Sequence, residues 1–410
     1  MLPEEFKLPS GLRVLLLPDR SESVTVLGLV KTGSRYEKEE QEGIAHFYEH
    51  MVFKGTKKFP FKKDLALAVD KIGAECNGAT GQEYTYYFVK TAKKDLLIGL
   101  DLICQLLTEP LLSKNEIPAE RGVILEELNM YNDVPQYRSQ IELAKLLFPN
   151  HPLGKSGVGQ KKTINSLVQK DFVDFKNNFY SSEKTVLVIA GGIGKTEEIK
   201  EELKRQFFGL KKANEIMAIP FKAADTFKKN KVKKIFKKTD QAHLAIGTRA
   251  LSRNDKRHYA QGLLNIILGG GMSSRLFQEI REKRGLCYSV NSSVETFEEV
   301  GAFEVTAGLN KKRLNEAIEA IKDQLFLLAK KAVDKEELSK AKHFFEGKLA
   351  LSLEDSYQKA HFYGKQALLE PAVKDINQLL KEVNNVESKD ILLVAKEIFL
   401  TDKIQLVLVE

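Results

Sequence analysis

The chain has 410 residues, of which 43% are hydrophobic and 29% charged, and it carries a formal net charge of +8. At about 100–200 residues per domain this length calls for two domains, and such a composition buries a full core without disulfide staples. It excludes a membrane-spanning helical protein, because no apolar stretch approaches the ~18 residues a span needs. It argues against a nucleic-acid partner, because lysine dominates where stacking and forked contacts call for arginine.

The N-terminal residues Met1-Leu-Pro-Glu-Glu-Phe-Lys7 lack the basic-then-apolar form of a signal peptide, so a cytoplasmic location is expected. Residues 12–17 and 24–30 read as strands around a Pro-Asp-Arg-Ser turn. Residues 43–54 and 61–72 read as helices, the second closed by Gly73. Residues 84–90 are aromatic and β-branched, hence a strand; 93–107 and 118–132 read as helices. A helix at 172–178 leads into a buried strand at 185–190, and 197–207 is helical. The lysine-rich, loop-like stretch at 211–234 is the expected linker. Beyond it come a strand at 242–247, a long helix at 257–268 ending in Gly269-Gly-Gly271, and a helix at 274–282. A hairpin at 288–296 and 301–307, helices at 315–330 and 335–350, and a closing strand at 404–409 complete the chain. Both halves run strands, helices, strands, long helices, last strand. The expected fold class is therefore α+β, with two similar domains at 1–210 and 235–410.

The most informative residues are His46-Phe-Tyr-Glu-His50. On a helix, positions i and i+4 share a face, so His46 and His50 can offer two imidazole nitrogens to one ion. Glu49 lies close to that face and can reach an attacking water without being a ligand. This reverses the order of the His-Glu-x-x-His zinc helix and keeps its geometry. The neighbours Ile44, Ala45, Phe47, Tyr48, Met51, Val52 and Phe53 are apolar or aromatic. A helix so flanked is largely buried, where two histidines and a carboxylate are costly without a partner. A catalytic zinc needs a third protein ligand and an open position. Pro118 suits the first turn of a helix on which Glu120 and Glu127 share a face two turns apart, whereas Glu126 points elsewhere. Glu127 can be the ligand and Glu120 its supporting partner, although spacing alone leaves the choice among carboxylates open.

With these residues in view, the chain resembles the pitrilysin (insulinase) family of metallopeptidases, in particular its two-domain members similar to mitochondrial processing peptidase. That family pairs the His-x-x-Glu-His helix with a distant Glu ligand, seven residues after another acid. Here 127 − 50 gives the family's separation of 77, and Glu120 falls seven before Glu127. The likeness covers nearly the whole chain, including Leu8-Pro-Ser-Gly-Leu-Arg-Val14, Asn150-His-Pro-Leu-Gly154 and Arg281-Glu-Lys-Arg-Gly-Leu-Cys-Tyr288. It implies domains built as a mixed, mainly antiparallel sheet with helices packed on one face. It implies one zinc per chain on His46, His50 and Glu127, with Glu49 as base and Glu120 behind the site. Asn77-Gly78-Ala79-Thr80 looks like the edge strand that receives the substrate backbone. Arg281 looks like the residue that bonds substrate carbonyls, and Tyr288 like the donor to the oxyanion. The substrate class implied is a peptide or unfolded polypeptide, cleaved in a chamber closed by two chains. A homodimer is expected, with Arg281 and Tyr288 facing the zinc from the partner chain. The alternative is a non-catalytic, peptide-binding or structural subunit of the same fold.

Other motifs are set aside. Gly194-Lys-Thr196 is similar to a phosphate loop but has Ile189 where that loop needs glycine. His151, His243, His258, His343 and His361 are scattered and read as structural or surface residues. Cys76, Cys104 and Cys287 are odd in number and far apart, which suits a reducing compartment and no Cys-based zinc site.

Overall fold

A computed structural model describes residues 2–207, 210, 218–221, 231–399 and 402–410. Most of the expected linker at 211–234 lies outside the described residues. The fold is α+β and has two compact units that interleave along the chain. Met1–Leu128, Ser156–Ile219 and Ala350–Asp375 form the first; Asn129–Lys155, Pro220–Leu349 and Ile376–Glu410 form the second. A division at 211–234 therefore leaves 129–155 and 350–375 on the far side from the units they build.

The first unit has six strands: β1 (Glu4–Lys7), β2 (Arg13–Pro18), β3 (Ser23–Val30), β4 (Glu75–Thr80), β5 (Thr85–Ala92) and β6 (Thr185–Gly191). They lie in the order β1-β2-β6-β3-β5-β4, antiparallel except for β2 against β6. Strand β3 is buried at seven consecutive positions, Val24–Val30, because both faces of the sheet are covered. Helix Leu96–Thr108 lies on one face of β3 and β5. On the other, Leu15, Leu17, Leu27, Leu29, Val186 and Val188 pack against Ala360, Tyr363 and Ala367 of helix Ser356–Leu369. Gly364 permits this approach: a Cβ there would stand 2.5 Å from a methyl of Leu29.

The second unit repeats the plan with five strands: β7 (Val232–Ile235), β8 (Ala242–Ala250), β9 (Cys287–Thr296), β10 (Gly301–Leu309) and β11 (Gln405–Val409). Their order is β7-β11-β8-β10-β9, with β7 and β11 parallel and the rest antiparallel. One face carries helices His258–Gly269 and Ser388–Ile398. The other receives helix Pro135–Leu147, whose Leu143 and Leu147 pack with Ala245 and Val407. Each sheet thus gains its second apolar cover from a helix encoded amid the other unit's residues. The sheets end in corresponding outer strands, β4 and β9. Among the described residues no helix is long and apolar enough to cross a membrane.

Candidate active site

The site begins with helix Ile44–Val52. Its start is fixed by Gly43, which adopts φ 95°, a left-handed conformation that favours glycine. The Glu37 carboxylate accepts from the backbone N–H of Gly43 at 2.8 Å and of Ala45 at 2.9 Å. A negative group satisfying free N–H donors at a helix start is stabilising. One face of the helix is locked by rings: Phe47 lies edge-on to Phe172 at 4.9 Å, and Tyr48 meets Tyr180 at 4.6 Å. The remaining face carries His46, Glu49 and His50.

Across from it runs helix Ile117–Asp133, bearing Glu120 and Glu127; Glu126 is exposed. One ligand atom from each of His46, His50 and Glu127 lies within 4.8 Å of the other two. Glu127 Oε2 stands 3.6 Å from His46 Nε2 and 3.7 Å from His50 Nε2. These separations are too long for hydrogen bonds. They are close to the ~3.4 Å kept by atoms each about 2.1 Å from one tetrahedral ion. Two imidazoles and a carboxylate are a donor set that zinc takes in catalytic sites, so these residues fit such an ion.

His50 Nδ1–H donates to Glu120 Oε1 at 2.8 Å, which leaves Nε2 as the free nitrogen facing Glu127. Glu120 also pairs with Lys54. Burial alone would raise Glu120, but its hydrogen bonds to His50 and Lys54 outweigh that and hold its carboxyl below the usual range. His50 is displaced upward: burial lowers it, and the Glu120 bond with the charges of Glu49, Glu120 and Glu127 more than compensates. Burial, aided by His50, pushes His46 down to about 4, so its imidazole is neutral at ordinary pH. Burial raises Glu127 against the opposing charge of His50. Glu49 is buried, and burial raises its carboxyl despite a hydrogen bond from the Thr80 hydroxyl at 2.6 Å.

Thr80 ends the outer strand β4, which pairs with β5 on one side. Asn77, Gly78, Ala79 and Thr80 thus lie on the sheet edge beside the histidine helix. Arg281 and Tyr288 belong to the second unit. There the Arg281 guanidinium lies 5.4 Å from the Tyr288 ring centroid and 4.7 Å from that of Phe277. Tyr288, at the start of β9, is 75% exposed. Arg281 sits in a π-helical turn, Phe277–Glu282, within the stretch expected to be helical. Three contributors escape the sequence reading: the Glu37 cap, Lys54 on Glu120, and the Thr80 hydroxyl on Glu49. Lys54 alone carries a local signal, four residues after His50 on the same side.

Residues 13–161 match the family described as Insulinase (Peptidase family M16), and residues 166–345 match the Peptidase M16 inactive domain. An uncharacterised zinc protease of Streptomyces coelicolor is 32% identical over 396 residues, covering 95% of this chain and 86% of that protein. The chain belongs to the M16 family. A second relative, the uncharacterised zinc protease YmxG of Bacillus subtilis, is 30% identical over 400 residues, covering 97% of this chain and 96% of that protein. Among solved structures, a protease from Helicobacter pylori superposes with a TM-score of 0.92 at 24% identity, covering 100% of both chains. A Pseudomonas fluorescens protein described as a peptidase M16 inactive domain reaches 0.91 at 18% identity, covering 100% of this chain and 98% of that one. At these identities the structural likeness speaks to the M16 fold alone. With its two similar units, the chain fits the two-domain M16 members similar to mitochondrial processing peptidase.

Proposed function

We propose that this M16 protein is a zinc metalloendopeptidase acting on peptides or unfolded polypeptides, with one ion per chain held by His46, His50 and Glu127. The observation that carries the reading is the 3.6 and 3.7 Å spacing of Glu127 from two imidazole nitrogens whose helix also presents Glu49. Zinc, when bound, supplies a Lewis acid that makes water nucleophilic near neutral pH. Glu49 takes the proton of the attacking water and passes it to the leaving amine. Its burial-raised carboxyl suits that exchange, and the Thr80 hydroxyl fixes one of its oxygens. Glu120 fixes the tautomer of His50 through Nδ1. The free edge of β4 at Asn77–Thr80 takes the substrate backbone as an added strand.

The chain acts as a homodimer in the cytoplasm, where its three free cysteines are at home. Arg281 and Tyr288 of the partner subunit complete each site, binding substrate carbonyls and donating to the developing oxyanion. Two chains enclose the chamber in which cleavage occurs.

The test is a digest of an unbiased peptide library read by mass spectrometry, with and without chelator. Internal cuts that disappear with chelator and with Glu49→Gln, while the variant keeps its zinc, are the expected result. Cuts unaffected by either would overturn the reading. The match of 166–345 to a domain described as inactive supports a second reading, a non-catalytic peptide-binding subunit. Peptide binding without any cleavage would favour it.

A further inference from the structure

The loop between helix Ile44–Val52 and helix Lys62–Lys71 carries a surface that the proposed chemistry leaves unused. Its sequence is Lys57-Lys-Phe-Pro-Phe-Lys-Lys63. Phe61 is 70% exposed, and Lys57, Lys58, Lys62 and Lys63 around it are exposed as well. Lys58 pairs with Asp101 at 2.6 Å. Lys57, Lys62 and Lys63 make no ion pair among the described residues.

The ring is held in water by a stapled backbone. Thr56 N–H donates to the Phe59 carbonyl at 2.8 Å, and Lys57 N–H to the Glu109 carbonyl at 2.9 Å. Lys58 N–H donates to Gln105 Oε1 at 3.0 Å, Phe59 N–H to Thr56 Oγ1 at 3.2 Å, and Phe61 N–H to Asp64 Oδ2 at 3.1 Å. Pro60 has no N–H to satisfy. A tip whose donors are all engaged enters an apolar layer without stripping water from free backbone groups.

The same contacts lay the loop along helix Leu96–Thr108, where Asp101 and Gln105 hold Lys58. One turn earlier on that face stands Leu97, 53% exposed, with exposed Ile98 beside it. On helix Lys62–Lys71 the exposed Lys63, Leu67 and Lys71 recur every four residues along one face. Apolar side chains set among lysines are the pattern of a surface that lies on a membrane, which asks for no spanning helix. A nucleic acid or an acidic peptide would answer the lysines and leave Leu67, Leu97 and Ile98 in water. An anionic bilayer answers both, its headgroups drawing the lysines and its acyl boundary taking the apolar side chains.

We propose that this loop docks the protein on an anionic membrane surface, with Phe61 entering the headgroup boundary and Lys57, Lys62 and Lys63 lying among the phosphates. The contact lies within the first unit and does not depend on the zinc reading.

The chain contains no tryptophan, so Phe61→Trp puts a single indole at the tip. The full chain bearing it is titrated with vesicles of phosphatidylcholine, alone or mixed equally with phosphatidylglycerol. The mixed vesicles are expected to bind about ten-fold or more tighter, less so as salt is added. Emission should shift to shorter wavelength and be quenched by brominated lipid. In vesicle sedimentation, Phe61→Ser and the double variant Lys62→Glu/Lys63→Glu should each bind about ten-fold or more weakly, with melting curves checking that they fold. Lys161→Glu/Lys162→Glu makes the same change in net charge on helix Lys161–Ser166 and should bind within about two-fold of the unaltered chain. An equal loss there would reduce the effect to overall charge and overturn the proposal. Equal binding to neutral vesicles, no vesicle binding, or binding without a change in tryptophan emission would overturn it too. Binding of duplex DNA or polyglutamate without binding of vesicles would overturn it in favour of another polyanion.

Discussion

Glu49 and Glu127 are both carboxylates raised by burial, yet the proposed function gives them different work. Glu127 faces two imidazole nitrogens at metal-sharing distance, whereas Glu49 is tied to the Thr80 hydroxyl. Glu49→Gln keeps the volume and removes the proton acceptor. Zinc content measured by atomic absorption should stay unchanged, while kcat falls about 10²–10⁴-fold, the usual contribution of a general base. Glu120→Gln should instead weaken zinc about 10–100-fold in competition with a chromophoric chelator, because His50 loses its anionic orienting partner. Glu304 carries the clearest pH signature. Its carboxyl is raised from 4.5 to about 7, so the folded state holds a proton that the unfolded state releases between those values. The resulting stability is fully present below pH 4.5 and is lost as pH rises through about 7. Urea unfolding at pH 4 and pH 8 should show Glu304→Gln gaining on the unaltered chain by at most about 3 kcal/mol at the higher pH.

At the scale of elements, helix Ser356–Leu369 decides whether β3 keeps its second cover. Gly364→Val would drive a side chain into Leu29 and Val188, and urea denaturation should show a loss of about 1–3 kcal/mol, the cost of overpacking. This helix and Pro135–Leu147 are also where the sequence is least legible. The strands at 12–17, 24–30 and 185–190 and the helix at 43–54 announce themselves by apolar periodicity and reappear within a residue or two. The exchanged helices bury Ser356, Ala360, Gly364 and Gln366, or Ser139 and Glu142. Small and polar residues on a buried face erase the contrast that periodicity needs. Glu142 tolerates burial because Lys145 donates to it at 2.9 Å and Lys233 pairs with it. Helices Ile376–Asn384 and Ser388–Ile398 do have apolar positions at helical spacing and could have been assigned. Within the site, the pairing of His46 with His50 is local and readable. The contact of Thr80 with Glu49 joins a strand to a helix and leaves no mark in spacing.

For the whole molecule, the proposed completion of each site by a partner's second unit has a distinctive consequence. Chains bearing Glu49→Gln and chains bearing Tyr288→Phe should each cleave poorly, yet co-assembled dimers contain one site with neither defect. Random mixing should restore about a quarter of full activity, measured as peptide turnover after joint refolding; no recovery would place both residues of a site in one chain. More elementary still is the proposed closing of His46, His50 and Glu127 on a single zinc. Crystals of zinc-loaded protein, measured on both sides of the zinc absorption edge, test it most directly. One strong anomalous peak per chain is expected, about 2.0–2.2 Å from both Nε2 atoms and a Glu127 oxygen. A peak lying elsewhere, or Glu127 rotated out of reach of it, would rule out this zinc site.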